Sequence, residues 1–353
     1  AADQKKLAQA LTALLPQLAL AGAALAALAL APDARRGRIV ALTLVTLTGA
    51  DLVWRNAASS LNAEAASRYS IYDRMTATES AALSALRADI AQRTAEGSRP
   101  RVEVLGLSGP WMNAAMTLGL EDTIGYNPLR IAEYQRAVGP GENAGDVSLR
   151  HFPETFRGYR CRLASLLGVE YLVINKPISD WPHHMPRPKS ATEIFAGDQI
   201  YVYRFNKAQP RAFLASRVIP ADLATVLEEK TLPDFDKTRE ALVEADHRGQ
   251  LWSHLSAEAP ADGKPAAGEA RIVGYANDRV TIEVNAERAG LLVLHDLYYP
   301  GWTAQVDGLE QHVVRANLLF RGVEVGAGRH RVEFIFRPFS LANLAAAARS
   351  LTG

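Results

Sequence analysis

The C-terminal part of the chain alternates apolar and polar residues with a period of two, and this feature restricts the fold more than any other. Seven such runs lie within residues 271–337. In the run RVTIEVNA, Val280, Ile282 and Val284 are separated by polar residues. A period of two places alternate side chains on opposite faces of a strand, so the pattern predicts half-buried antiparallel strands.

The dipeptide Asp307-Gly308 stands between two of these runs. It is the sequence that a type I′ hairpin turn favours, because both central residues need a positive φ. Short strands joined by such turns predict a small antiparallel β-sandwich, which we place at residues 270–338.

Upstream, strand-like runs alternate with helical patterns, and this predicts an α/β layer domain at residues 56–220. The clearest helix has Leu83, Leu86 and Ile90 on one face and Gly97 as its stop. The predicted strands are residues 101–107, 171–175, 199–205 and 212–218. A connection follows at residues 221–269, with two predicted helices (221–229 and 233–249) and a linker rich in Ala, Pro and Gly.

The first 55 residues contain two apolar runs. Residues 7–32 carry no charge, which is long enough to cross about 30 Å of hydrocarbon, and residues 39–54 form a shorter run that includes Asp51. The loop between them holds three arginines, so the positive-inside rule places it in the cytoplasm and the rest of the chain outside. Two transmembrane helices are the main prediction for residues 1–55. A signal peptide and an Ala-rich soluble helical hairpin stay open as alternatives.

Charge and cysteine content exclude some classes of function. The 39 Lys and Arg balance 38 Asp and Glu, so the chain lacks the basic surface that nucleic-acid binding requires. Cys161 is the sole cysteine, so an intrachain disulfide is impossible, and no spacing of Cys and His predicts structural zinc.

Three near-motifs indicate little chemistry. The segment GLSGP (106–110) has Pro110 where a nucleophile elbow needs glycine. The loop GPGENAG (139–145) lacks the spacing of a dinucleotide fingerprint. The adjacent His183 and His184 are poorly placed to chelate one ion, so we predict no metal site.

Two segments offer rings beside planar polar groups. In GYNPLR (125–130), a tyrosine and an arginine flank the turn at Asn127-Pro128, and a capped helix start with a buried tyrosine is the competing interpretation. In YYPGW (298–302), Trp302 begins a strand and is expected to point into the core. Tyr298 and Tyr299 then face opposite sides, which leaves one tyrosine outside.

The order of GYNPLR, LLGVEYLVIN, YYPGWTAQVDG and VVRANLLFRGVEVGAGRHRVEFIFRP resembles the C-terminal part of bacterial YfhO-like polytopic membrane proteins, which are grouped with the GT-C glycosyltransferases. The resemblance runs from the two apolar segments to Pro338. It implies an external soluble region and the start of a further, truncated membrane helix at residues 339–353. The catalytic acid of the class lies in an early external loop outside this chain, so no residue here is predicted to be catalytic.

The resemblance also implies a setting and partners. The chain would belong to the bacterial inner (cytoplasmic) membrane, with its soluble domains on the outer face and membrane lipid around its helices. The whole protein would transfer a sugar from a polyprenyl-phosphate donor to an envelope glycan, and a divalent metal for that protein is left open. No cofactor is predicted for the chain itself. Aromatic faces and planar hydrogen-bonding groups suit sugars and phosphates, so the candidate contacts are Tyr126, Asn127, Arg130, Tyr299, Trp302, Arg315 and Asn317.

Two other hypotheses remain. The chain could be a non-catalytic carbohydrate-binding or assembly module of an envelope complex. It could also be a glycoside hydrolase, which needs two carboxylates roughly 5–9.5 Å apart, with Asp296 and Asp307 as the nearest pair in sequence. Asp307 is already explained by its turn, so the hydrolase ranks last.

Overall fold

The computed structural model describes residues 33–57, 74–123, 131–138, 162–181, 187–188, 190–206, 208–229, 231–244 and 268–339, together with Gly22 and Ala26. The chain divides into two compact units, residues 1–71 and 72–353. Across the described ranges, helices and strands are mixed and the strands form three sheets. The prediction of mixed α/β structure with a β-rich region is confirmed at this level.

The first unit contributes helix α1 (Ala34–Ala57). Its start is capped by Asp33, whose Oδ1 accepts a hydrogen bond from the backbone N–H of Arg36 at 2.7 Å. The second predicted span, residues 39–54, is therefore helical. Its apolar side chains are largely exposed, with Leu42 and Val45 each at 70%.

The two transmembrane helices are not confirmed. Within the described residues, no helix combines the length and the apolar character that crossing a membrane requires. In α1, Asp51 and three threonines dilute the apolar run. The first predicted span, residues 7–32, lies outside the described residues apart from Gly22 and Ala26.

The second unit begins with helix α2 (Ala77–Ala95), which confirms the predicted helix. A capping box fixes its start, because Thr76 Oγ1 accepts from the Glu79 backbone N–H and Glu79 Oε2 accepts from the Thr76 backbone N–H. Leu83 and Leu86 are buried. The helix packs on a four-stranded sheet through this apolar stripe.

That sheet has the order β1-β2-β4-β3. Strands β1 and β2 are parallel, and the other pairs are antiparallel. Every residue of β2 is buried, as expected for a strand covered on both faces. The bounds are β1 (Arg101–Leu105), β2 (Val169–Ile174), β3 (Ala191–Gly197) and β4 (Ile200–Phe205).

Short helices connect and cover the sheets. They are α3 (Ala114–Thr117), α4 (Ala132–Val138), α5 (Arg162–Leu166) and α6 (Leu223–Glu229), with 3-10 turns at Gly109–Asn113 and Ile178–Asp180. Helix α6 confirms the first of the two helices predicted in the connection. Asp222 caps it by accepting from the Thr225 backbone N–H at 3.0 Å.

Two further sheets form the β-rich region. One has six strands in the order β5-β10-β14-β13-β7-β6, and the other has five antiparallel strands in the order β12-β11-β15-β9-β8. Their bounds are β5 (Ala212–Ala215), β6 (Arg217–Ala221), β7 (Glu240–Glu244), β8 (Gly268–Tyr275), β9 (Arg279–Ala286), β10 (Gly290–Leu297), β11 (Trp302–Val306), β12 (Leu309–Gln311), β13 (Val314–Ala316), β14 (Phe320–Val325) and β15 (Gly328–Phe336).

The two sheets pack face to face. Leu292 and Leu294 of β10 share one apolar core with Ile282 of β9 and Phe334 of β15. The six-stranded sheet also curls, because β5 and β6 lie at its opposite edges although Ser216 alone separates them in the chain. The region is a sandwich in which one layer bends back on itself.

Three strands of the six-stranded sheet, β5, β6 and β7, come from upstream of the predicted sandwich. The predicted strand at residues 212–218 does not join the α/β layer, since β5 pairs with β10 and β6 pairs with β7. The physical reason is burial: all four residues of β5 are apolar and buried, so both faces of this strand need covering.

The second helix predicted in the connection, at residues 233–249, is wrong, because this segment contains strand β7. Asp236 turns the chain first, with Oδ1 accepting from the Thr238 backbone N–H at 3.0 Å. Ala241–Val243 then pair with the parallel strand β6 and are almost fully buried. Tertiary pairing overrides the helical preference of the segment.

The hairpin prediction is confirmed. Asp307 and Gly308 have φ values of 52° and 82°, and they join β11 to β12. Most of the predicted linker (residues 256–267) and of the predicted truncated membrane helix (residues 340–353) lies outside the described residues.

Candidate functional site

The segment after β10 builds a concave surface that we call the aromatic pocket, lined by residues 298–303 and 310–313. It has a volume of about 410 Å³. The backbone N–H of Tyr298 is fixed by Leu319 O at 2.7 Å, and Gly301 takes a φ of 100° that permits the turn into β11. The Pro-Gly break therefore shapes one wall of the pocket, and β12 supplies part of the other.

The three aromatic residues of YYPGW have different exposure. Tyr298 and Trp302 are half-buried and pack against the sandwich core, whereas Tyr299 is 47% exposed. Tyr299 is therefore the tyrosine left outside. Trp302 packs against the core as expected, and it also lines the pocket. The residue therefore serves both as a core residue and as a candidate ligand contact.

Phe336 completes a row of rings that the sequence did not single out. It stands opposite Trp302 in the β11–β15 register, with ring centroids 5.3 Å apart. The ring centroids of Tyr299 and Phe336 lie 6.4 Å apart. The signal in the sequence was the alternation of β15, which places Phe336 on the inner face at the end of the strand.

Behind the pocket, Trp302 stacks on a buried arginine. The guanidinium carbon of Arg321 lies 3.7 Å from the centre of the Trp302 ring. Within the described structure, Arg321 Nε and Nη1 have no hydrogen-bond partner, so the ring face contributes a cation–π contact where hydrogen bonds are missing. Burial lowers the pKa of Arg321 to about 10.

Arg321 belongs to a buried group that we call the charged hub: Asp296 with Arg101, Arg211 and Arg321. Asp296 Oδ1 accepts from Arg101 Nη2 and Arg211 Nη1, each at 2.7 Å, and Oδ2 accepts from Arg321 Nη2 at 3.2 Å. The hydroxyl of Tyr275 donates to Oδ2 at 2.9 Å. Arg101 starts β1 and Asp296 lies in β10, so the hub fastens the α/β layer to the sandwich.

Burial and the neighbouring charges of the hub shift the pKa values of Asp296 and Tyr275. Burial opposes the charge of Asp296, but the three guanidinium groups outweigh it and hold the pKa of Asp296 well below its usual range. Burial raises the pKa of Tyr275 to about 12, and the charge of Asp296 acts in the same direction. The carboxylate is thus permanently ionised and its oxygens are occupied, which suits a structural role.

The neighbouring His295 lies on the other face of β10, inside the curled sheet. Its Nδ1 lies 2.8 Å from Pro210 O, which identifies Nδ1 as the donor, and Nε2 lies 3.4 Å from Asn317 Nδ2. The rings of Phe213 and Phe320 flank it. Burial lowers the pKa of His295 to about 3, so the ring is neutral in the folded protein.

The predicted contact residues do not all meet. Tyr299 and Trp302 line the aromatic pocket together. Asn317 is fully buried and holds β7, since its Oδ1 accepts from the Leu242 backbone N–H at 2.9 Å. Arg315 is bound by Leu318 O at 2.6 Å and lies near Glu133, and it is not among the pocket residues.

Other sequence candidates fall outside the described residues. These are Tyr126, Asn127, Arg130, His183 and His184. Within the described residues, no group of three or more His, Cys, Asp or Glu side chains gathers around a possible metal position.

The glycoside hydrolase pair is also accounted for in other ways. Asp296 is the centre of the charged hub. Asp307 Oδ1 accepts from the Arg331 backbone N–H at 2.8 Å, and Oδ2 lies 2.8 Å from His330 Nδ1. Asp296 is enclosed by its partners in the hub, and Asp307 fixes its own hairpin through Arg331 and His330.

No protein-family model, curated protein or solved structure matches the chain.

Proposed function

We propose that the chain is the external, non-catalytic portion of a membrane-embedded glycosyltransferase that uses a polyprenyl-phosphate sugar to modify cell-envelope glycans. In this proposal the aromatic pocket holds the acceptor glycan. The chain belongs to the bacterial inner membrane, with its α/β layer and sandwich on the outer face.

The rings of Tyr299 and Trp302, which line the pocket and both pack against Phe336, are the observation that carries this proposal. Sugar rings present apolar C–H faces that stack on aromatic rings, and their hydroxyl groups need planar hydrogen-bonding partners nearby. Glu310, Gln311 and His312 are polar residues that line the pocket. An exposed tyrosine beside half-buried rings is an arrangement that suits a sugar at a water-filled surface.

The charged hub supports a non-catalytic role for this chain. A general acid or base must reach the reacting group and exchange a proton near the working pH. Asp296 is buried beneath three arginines and stays ionised. The reaction is therefore assigned to another part of the whole protein, together with the sugar donor and any divalent metal.

The membrane setting rests on two supports. One is the resemblance of the chain to YfhO-like proteins. The other is helix α1, where Leu42, Val45 and Val53 are each 70% exposed and the three arginines precede the apolar run. Such exposed apolar surface is consistent with a lipid environment.

The direct test is binding of the full chain to an array of bacterial envelope oligosaccharides. We expect at least one to bind, with binding lost in Tyr299→Ala and kept in Tyr299→Phe, which retains the ring. Phe339→Ala is the control, since Phe339 is 87% exposed outside the pocket. No binding, or equal binding by Tyr299→Ala, would contradict the proposal.

A non-catalytic glycan-binding or assembly module is the second candidate. The aromatic pocket lies entirely within the second unit, so a glycan could bind there without the first unit. This position favours the module. Membrane vesicles that carry the whole protein distinguish the two candidates when they are supplied with a radiolabelled polyprenyl-phosphate sugar. Transfer that falls in Tyr299→Ala supports the transferase, whereas glycan binding without transfer supports the module.

A further inference from the structure

The second unit contains another concave surface, which we call the polar cleft. It is lined by residues 92–93 and 96–98 at the end of α2, by Glu170 in β2, and by residues 204–206 and 208–210 at the end of β4 and just after it. Its volume of about 570 Å³ falls in the range of small-molecule sites, roughly 300–1,000 Å³. It shares no residue with the aromatic pocket.

We propose that the polar cleft is a second binding site and that it takes a neutral, hydroxyl-rich saccharide. The charges of the cleft argue against an anion. Arg93 Nε donates to Glu170 Oε1 at 2.6 Å, and Arg204 Nη1 donates to both oxygens of Asp89 at 2.9 Å. Each guanidinium already faces a carboxylate, so a phosphate or carboxylate ligand gains little from them.

The remaining polar groups suit hydroxyl groups. Gln92, Asn206 and Gln209 bring three carboxamides to the cleft, and a carboxamide both donates and accepts hydrogen bonds. The Gln92 carboxamide donates to Glu96 Oε1 at 3.4 Å, and its oxygen can accept from a ligand. Ser98 Oγ donates to Glu170 Oε2 at 3.3 Å and keeps its own lone pairs as acceptors. A sugar hydroxyl has the same dual capacity, so this set of groups matches a chain of hydroxyls.

The cleft is also built on fixed structure. The side chain of Glu170 is 7% exposed and is held by Arg93 and Ser98. Phe205 packs against the apolar core, and it lines the cleft beside Pro210, so a sugar would meet an apolar wall as well. Groups that are already ordered lose little entropy on binding.

Calorimetric titration of the full chain with chitotriose, cellotriose and trigalacturonate tests the proposal. We expect a neutral trisaccharide to bind, and Gln92→Trp to weaken that binding by at least about tenfold by filling the cleft. Ser84→Trp is the matched control, because Ser84 is exposed on the same helix and outside the cleft. The double variant Asn206→Leu, Gln209→Leu removes carboxamides from another wall and should weaken binding too.

Three outcomes would overturn the proposal: no neutral trisaccharide binds, Gln92→Trp binds as the wild type does while melting at the same temperature, or trigalacturonate binds the cleft more tightly than the neutral sugars. Tyr299→Ala keeps this proposal distinct from that of the aromatic pocket. Binding that is abolished by Tyr299→Ala and untouched by Gln92→Trp supports the pocket and rejects the cleft. The opposite pattern supports the cleft and shows that the trisaccharide does not bind in the pocket.

Discussion

The charged hub and the aromatic pocket lie on opposite sides of one contact, Arg321 against Trp302, and they use their side chains in contrasting ways. In the hub, every oxygen of Asp296 is occupied and the group is buried. In the pocket, Tyr299 is 47% exposed and makes ring contact with Phe336. The buried ion pairs of the hub thus hold the fold, while the less constrained aromatic surface is the part suited to a ligand.

The largest effect that we predict comes from Asp296→Asn. Removing the carboxylate leaves Arg101 and Arg321 without their acidic partner and leaves Arg211 with Glu121 alone. Breaking a buried ion pair in this way typically costs about 3–5 kcal/mol of unfolding free energy. Chemical denaturation of the purified chain measures this. Asp307→Asn is the control at a surface hairpin, where we expect a loss of less than about 1 kcal/mol. If the two variants lost equal unfolding free energy, the hub would be no more important to stability than the surface hairpin, which would contradict the prediction.

The second prediction concerns Asn317. It adopts a φ of 48° while its side chain holds the Leu242 backbone N–H. Asn317→Ala should lower the unfolding free energy by about 2–3 kcal/mol through an unpaired buried N–H and an unfavourable φ. Asn317→Gly relieves the φ strain alone, so it should lose less than alanine. If both variants kept wild-type stability, the assigned role would be wrong.

The third prediction is a pH dependence caused by His295. Its pKa in the folded protein is about 3, below the ordinary value of 6.5, so the unfolded chain binds the extra proton between these two values. Stability is complete above pH 6.5 and falls on acidification, with a slope of about 1.4 kcal/mol per pH unit from this group.

Denaturation curves from pH 7 to pH 4 compare the wild type with His295→Gln, which cannot take up that proton. The variant should show a shallower loss of stability on acidification. A variant that retains the full wild-type slope would show that His295 is not neutral and buried in the way described.

The sequence predicted the features of the aromatic pocket that depend on local pattern, but not the charged hub. The alternation of Trp302, Ala304 and Val306 indicated that the tryptophan faces inward, and Asp307-Gly308 indicated the hairpin. The sequence could not reveal the hub, because Arg101 and Asp296 are 195 positions apart and meet only after both layers fold. Asp296 consequently looked like a candidate carboxylate for catalysis.

Asn317 shows the same limit at a smaller scale. Its planar amide fitted a sugar contact when considered alone, but the strand that it holds, β7, was predicted to be a helix. The segment gained its strand conformation from pairing with β6, a contact that local propensity does not contain. The sequence did not predict the ring contacts of Phe336 for a related reason. Phe336 lies in β15, whereas its partners Tyr299 and Trp302 lie just before β11 and at its start.

The smallest effect on stability is expected for Tyr299→Ala. The ring is exposed and belongs to no core cluster, so its removal should change the unfolding free energy by less than about 0.5 kcal/mol. Denaturation under the conditions used for Asp296→Asn gives the comparison. A loss above about 2 kcal/mol would place Tyr299 with the structural residues.

Saturation-transfer difference NMR on the full chain with a bound envelope oligosaccharide tests the central claim most directly. If the sugar stacks on the aromatic row, its ring C–H protons should receive the strongest saturation in the wild type and in Tyr299→Phe. The signal should disappear in the folded Tyr299→Ala variant. Saturation of the same protons that persists unchanged in Tyr299→Ala would contradict the account.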